Sequence, residues 1–129
     1  MRPFETKPLP DLPDVTAPDG SDVRLLVSSG SGSMAHFSLA PGAISLAVCH
    51  CTVEELWFIT AGEGQMWRSA DGVEEIIGLT PGISLSIPVG TSFQFRAGRT
   101  SLEAVAVTMP PWPGMDEAYA VVGHWNEGK

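Results

Sequence analysis

Apolar and polar residues alternate along much of this chain. Ile83-Ser84-Leu85-Ser86-Ile87 is the clearest run. A period of two sends successive side chains to opposite faces of a strand. No stretch of useful length shows the 3.6-residue repeat of an amphipathic helix. The pattern predicts strands at 22–28, 34–40, 44–51, 55–60, 65–69, 73–79, 84–87, 92–96 and 102–108. Turn residues separate them: Ser29 to Gly32, Pro41-Gly42, Gly62-Glu63-Gly64, Asp71-Gly72 and Pro81-Gly82. Asp-Gly between two such runs is a strong hairpin signal. The segment Met109-Pro110-Pro111-Trp112-Pro113-Gly114 has too many prolines for a helix or a ladder strand. A short helix or turn at 115–117 and a last strand at 118–122 complete the reading. Regularly spaced short strands predict an all-β sandwich or barrel.

The length, 129 residues, is that of one domain. Five prolines in the first twenty residues mark 1–20 as an extended arm that packs on the barrel or on a partner subunit. Residues 21–125 are left as the folded domain. The net charge of −8, with only seven Lys and Arg, repels phosphate backbones and anionic membranes. Nucleic acid and membrane are therefore not expected partners. No run approaches the ~18 apolar residues of a membrane helix, and the N-terminus has no apolar core of a signal peptide. The expected location is the cytoplasm. Cys49 and Cys51 would share one strand face at about 6.5–7 Å, at or beyond disulfide reach, so free thiols are expected.

Two segments carry the candidate chemistry. In the first, Gly42, Val48, His50, Glu55 and Gly62 occur in that order, four residues separating His50 from Glu55 and six separating Glu55 from Gly62. In the second, Gly82, Pro88, Gly90, Phe93 and Ala97 follow one another. These spacings resemble the two motifs of the cupin superfamily. The resemblance covers roughly residues 34–108 and implies a double-stranded β-helix, or jelly-roll, barrel. Cupins usually hold a divalent metal on three His and one Glu. Here the first His position is Val48, the third is Phe93, and the closing Asn position is Ala97. Only His50 and Glu55 match. Glu54 also fits the ligand spacing, but only Glu55 keeps Gly62 in register. The resemblance also implies a homodimer.

Alternation puts Val48 and His50 on one face, Glu55, Trp57 and Ile59 on one face of the next strand, and Phe93 and Phe95 together. Inside a barrel they would form an apolar pocket with two convergent polar groups, the usual character of a small-molecule site. Trp112, in its Pro-rich loop, is a further candidate wall, as is Trp67. Arg68 and Arg96 end strand-like runs and read as solvated or salt-bridged.

Three functions stay open. His50 and Glu55 as general base and acid would suit an isomerase, epimerase or dehydratase acting without metal on a small polar metabolite. A non-catalytic binding or sensing module would use the same pocket. A metal-dependent cupin of the dioxygenase type would need a divalent transition metal on His50, Glu55 and an irregular third ligand, His36 or Cys51. Two ligands are too few for a stable site, so no cofactor is expected. If Pro41-Gly42 closes a two-residue hairpin, His36 faces Ala47 and lies opposite His50.

Overall fold

The structure is a computed structural model that describes residues 4–126. Its strands are β1 (Val15–Thr16), β2 (Asp22–Ser28), β3 (Ser33–Leu39), β4 (Val48–His50), β5 (Glu54–Ala61), β6 (Gly64–Ala70), β7 (Val73–Leu79), β8 (Ser84–Ile87), β9 (Ser92–Ala97), β10 (Leu102–Met109) and β11 (Ala118–Ala120). A single 3-10 turn, Met115–Glu117, precedes β11. The six strands β1-β2-β3-β10-β5-β8 form one antiparallel sheet, and β11-β4-β9-β6-β7 form the other. This is an all-β jelly roll. No helix of the described residues is long and apolar enough to cross a membrane.

Alternation decides which face of each strand meets the opposite sheet. On β5, Glu55, Trp57 and Ile59 are buried while Glu54, Leu56 and Phe58 point out. On β10, Leu102, Ala104, Ala106 and Thr108 are buried. Phe93, Phe95 and Met66 come from the facing sheet and are fully enclosed with Ile59. Each such side chain stabilises the fold by about 1.5–3 kcal/mol through burial. These contacts between the sheets, more than strand propensity, hold the layers together.

The turns act as read from their residues. Asp71 and Gly72 both have positive φ, 52° and 77°, and join Ala70 to Val73 in a two-residue hairpin of the twist-matched kind. At Pro41-Gly42 the Ala43 N–H donates to Ala40 O at 3.0 Å, and at Pro81-Gly82 the Ile83 N–H donates to Thr80 O at 3.1 Å. Neither turn joins paired strands. The first carries the chain from β3 in one sheet to β4 in the other, and the second carries it back from β7 to β8. The expected pairing of His36 with Ala47 is therefore corrected: His36 lies opposite Arg24 and Val105.

The strand expected at 44–51 is shorter, Val48–His50. Ahead of it only Ile44 bridges to Arg96, and Leu46 N–H donates to Asp19 O at 2.8 Å. The Pro-rich arm folds back on its own barrel. Arg24 Nε donates to Pro10 O at 2.9 Å, and Leu25 N–H donates to Asp14 Oδ2 at 2.8 Å. The arm ends in β1, which adds to the edge of β2. The Asp19–Leu46 bond then ties the arm to the other sheet, so the arm closes one side of the barrel. On the opposite layer, Gln94 is buried on the outward side of β9, beneath the C-terminal segment. Its Oε1 accepts from His124 N–H and Trp125 N–H at 2.9 and 2.8 Å.

Candidate functional site

One end of the barrel is packed and the other is hollow. The packed end holds Trp57, Ile59, Phe95 and Leu102, with Trp57 edge-on to Phe95 at 5.0 Å. Phe37 stacks on Trp57 at 5.4 Å and floors the hollow end. Above it lies a cavity of about 350 Å³, near the lower end of the 300–1,000 Å³ usual for small-molecule sites. Val48, His50, Glu55 and Trp112 line it. Trp57, Ile59, Phe93 and Phe95, expected as walls, do not reach it and belong to the packed core. Alternation fixes a residue's face. Whether the space in front of it is filled depends on what the opposite sheet and the arm deliver.

His50 ends β4, held between Phe93's strand and Ala118 of β11. Its ring lies edge-on to Phe93 and to Trp112, each at 5.2 Å. Trp112 is fixed in turn by its N–H donating to Ser33 Oγ at 3.0 Å. Glu55 starts β5 on the inward face. His50 Nδ1 and Glu55 Oε2 are 3.4 Å apart, and only 5% and 4% of the two side chains is exposed. The pair is within charge-pairing distance but not aligned as a hydrogen bond, so His50 Nδ1 is buried without a partner. Glu55 Oε1 accepts from Trp57 Nε1–H at 2.6 Å. Trp57 thus orients the carboxyl from the core side.

The environment moves both groups toward neutrality. Burial pushes Glu55 up to about 7, against the Trp57 hydrogen bond, and the charges of Asp19 and Glu117 add to the rise. Burial also holds His50 below its ordinary 6.5, with Glu117 pulling the other way. Near neutral pH the site therefore pairs an uncharged imidazole with a carboxyl that keeps much of its proton.

Two further acids belong to this site and carry no local sequence signature. Glu117 is 5% exposed. Burial would raise it, but hydrogen bonds from Thr52 Oγ1, Thr52 N–H and Val53 N–H, at 2.6 to 2.8 Å, hold it below its ordinary value. It fixes the bend between His50 and Glu55. Asp19, from the end of the arm, lines the cavity and is raised by burial despite its hydrogen bonds from Ser21.

These shifts have opposite consequences for stability. Glu55 binds its proton more tightly folded than unfolded, so stability falls as pH rises from 4.5 to about 7. The loss is at most about 3 kcal/mol. Asp19 acts in the same sense. Glu117 has the opposite sign: its contribution is present above 4.5 and is lost on acidification. His50 contributes stability that is lost as pH falls through 6.5. The Glu55→Gln variant is expected to lose much of the decline between pH 4.5 and 7 and to exceed wild type in stability at pH 8. Urea titrations at several pH values measure this, and an unchanged pH profile would refute the burial argument.

The donor set does not fit a metal. Val48 and Phe93 stand where cupins place histidines, and no group of three or more His, Cys, Asp or Glu among the described residues is placed to hold an ion. His36 is on the outer face of β3, where Nε2 meets Glu103 Oε1 at 3.0 Å. Cys51 is exposed beyond the end of β4, and Cys49 is buried; both are free thiols. His124 stacks on Trp67, away from the cavity.

Comparison with solved structures places this architecture. KdgF from Halomonas sp. is 15% identical, with a TM-score of 0.65 over 73% of this chain and 82% of its own. Oxalate decarboxylase from Bacillus subtilis is 16% identical, with a TM-score of 0.71 over 91% of this chain and 30% of its own, so this chain spans about a third of that protein. The coconut allergen cocosin is 20% identical, with a TM-score of 0.62 over 74% of this chain and 28% of its own. No protein-family model and no curated protein matches the sequence. The fold is that of the cupin superfamily. A decarboxylase and an allergen share it, so the fold does not choose a function.

Proposed function

We propose that this chain is a small-molecule enzyme that moves a proton next to a carbonyl group without a metal, in an isomerase, epimerase or dehydratase type of reaction. One observation carries the reading: His50 and Glu55 meet at 3.4 Å in a largely apolar cavity. Burial keeps the imidazole neutral and the carboxyl protonated over the same pH range. His50 would take a proton from carbon α to the carbonyl, and Glu55 would give one to the carbonyl oxygen. An enol forms, and it collapses with reprotonation at the same or a neighbouring carbon. Matched acid and base of this kind contribute about 10²–10⁴-fold each.

The apolar replacements at Val48 and Phe93 support a second reading, a binding module that returns its ligand unchanged. Deuterium exchange separates the two. Uncharged ketones and aldehydes that fit the cavity, α-tetralone among them, are incubated with the protein in D₂O and followed by proton NMR. Loss of the α-proton signal faster than in buffer supports the enzyme. Saturable binding with no exchange across the set would leave the binding module.

A further inference from the structure

The cavity has a third ionisable group that the proton-transfer reading does not use. Asp19 is only 7% exposed and comes from the folded-back arm. Both of its side-chain hydrogen bonds converge on Oδ1, from Ser21 N–H at 2.9 Å and Ser21 Oγ at 2.7 Å. No other described residue donates to Oδ2. Asp19 lines the cavity, and a ligand oxygen there would give its carboxyl a further hydrogen-bond partner. His50 Nδ1 is buried without a hydrogen-bond partner. A carboxyl from the arm and an unpartnered imidazole nitrogen from β4 thus border one cavity.

The rest of the lining narrows what could satisfy them. No Lys or Arg lines the cavity among the described residues. Its other walls are largely aliphatic and aromatic, such as Val23, Ala35, Phe37 and Trp112. A carboxylate or phosphate brought here would meet Asp19 and Glu55 with no cation to offset desolvation. An ammonium would likewise have to leave water for a cavity whose other walls are largely apolar, a desolvation cost borne by the ligand itself.

We propose that Asp19 is a ligand-binding group of this site, and that the site takes an uncharged compound presenting two oxygen functions, a carbonyl toward His50 and Glu55 and a hydroxyl or second carbonyl toward Asp19, on an apolar skeleton. The proposal rests on the proton-transfer reading only for which end of the ligand carries the reacting carbonyl. Asp19 acts by orienting the far oxygen, donating from or accepting at Oδ2, and the arm that supplies it is part of the binding site.

Four compounds on one skeleton test this by isothermal titration calorimetry: α-tetralone, and α-tetralone carrying a hydroxyl, a carboxylate or an ammonium on the ring carbon γ to the carbonyl. Wild type is expected to bind the hydroxyl compound about tenfold tighter than α-tetralone, the worth of one good hydrogen bond. Both charged compounds are expected to bind more weakly than α-tetralone. Asp19→Ala should reduce the hydroxyl preference to about onefold. Asp19→Asn, which keeps an acceptor for Ser21 and an uncharged polar group at the other position, should retain most of it. The readout is a ratio between ligands within one variant, which a purely structural loss would not move.

Equal hydroxyl preference in wild type and Asp19→Ala would overturn the role of Asp19. Tighter binding of either charged compound, or no binding of any of the four, would overturn the ligand class. A hydroxyl preference that depends on Asp19 but comes without deuterium exchange would uphold Asp19 and defeat the proton-transfer reading. Exchange that is indifferent to Asp19 would do the reverse.

Discussion

His50→Ala is expected to slow α-proton exchange by about 10²–10⁴-fold, and Glu55→Gln by a similar factor. The two losses should not add, because acid and base act in one step. The pH profile makes the claim sharper. The proposed reaction needs His50 unprotonated and Glu55 protonated. The acidic limb should therefore fall at the lowered His50 value, below 6.5, and the alkaline limb at about 7. The result is a bell whose optimum lies below pH 7. Glu55→Gln should lose the alkaline limb as well as the rate. His50→Ala should keep the fold, since Phe93 and Trp112 pack against only one edge each of the imidazole. Initial exchange rates from pH 5 to 9 measure all of this. Wild-type rates in both variants would remove these residues from the chemistry.

The second large effect is on stability. Gly62 has a φ of +81°, and a Cβ placed there would sit 1.9 Å from Ser101 O. The left-handed backbone alone disfavours alanine by about 1–2 kcal/mol, and the clash is with main chain, which a rotamer change cannot relieve. Gly62→Ala is expected to cost at least about 3 kcal/mol and to lower Tm by about 10 °C, or to prevent folding. Gly78→Ala is the control. No atom lies within 4 Å of the position its Cβ would take, so a change under about 0.5 kcal/mol is expected. Equal midpoints for the two variants in thermal unfolding would contradict this account of Gly62.

Much of the barrel was legible because strands and turns are local. The strands at 22–28, 73–79 and 84–87 match β2, β7 and β8 to the residue. The overlong 44–51 reading failed where the alternation of Ile44 to Ala47 imitates a strand, while its N–H groups pair irregularly with Phe95 and Asp19. β1 was hidden between Pro13 and Pro18, where two residues give no period. His50 and Glu55 could be singled out because their spacing is a local motif. Asp19 and Glu117 could not, because their place beside that pair depends on the arm and on the approach of β11 to β4. Trp57 shows a finer limit. Its inward face was predictable, but its use as a hydrogen-bond donor to Glu55 depends on the depth of the cavity.

The most direct test is a pH titration of the glutamate side-chain carboxyls by NMR in ¹³C-labelled protein, with Glu55→Gln to assign the signal. The account predicts that the Glu55 resonance titrates at about 7 and that its curve is perturbed by the ionisation of His50. A Glu55 resonance that titrates between 4 and 5, like an exposed carboxyl, would show an ordinary ionised glutamate and would contradict the acid–base pair at the centre of the site.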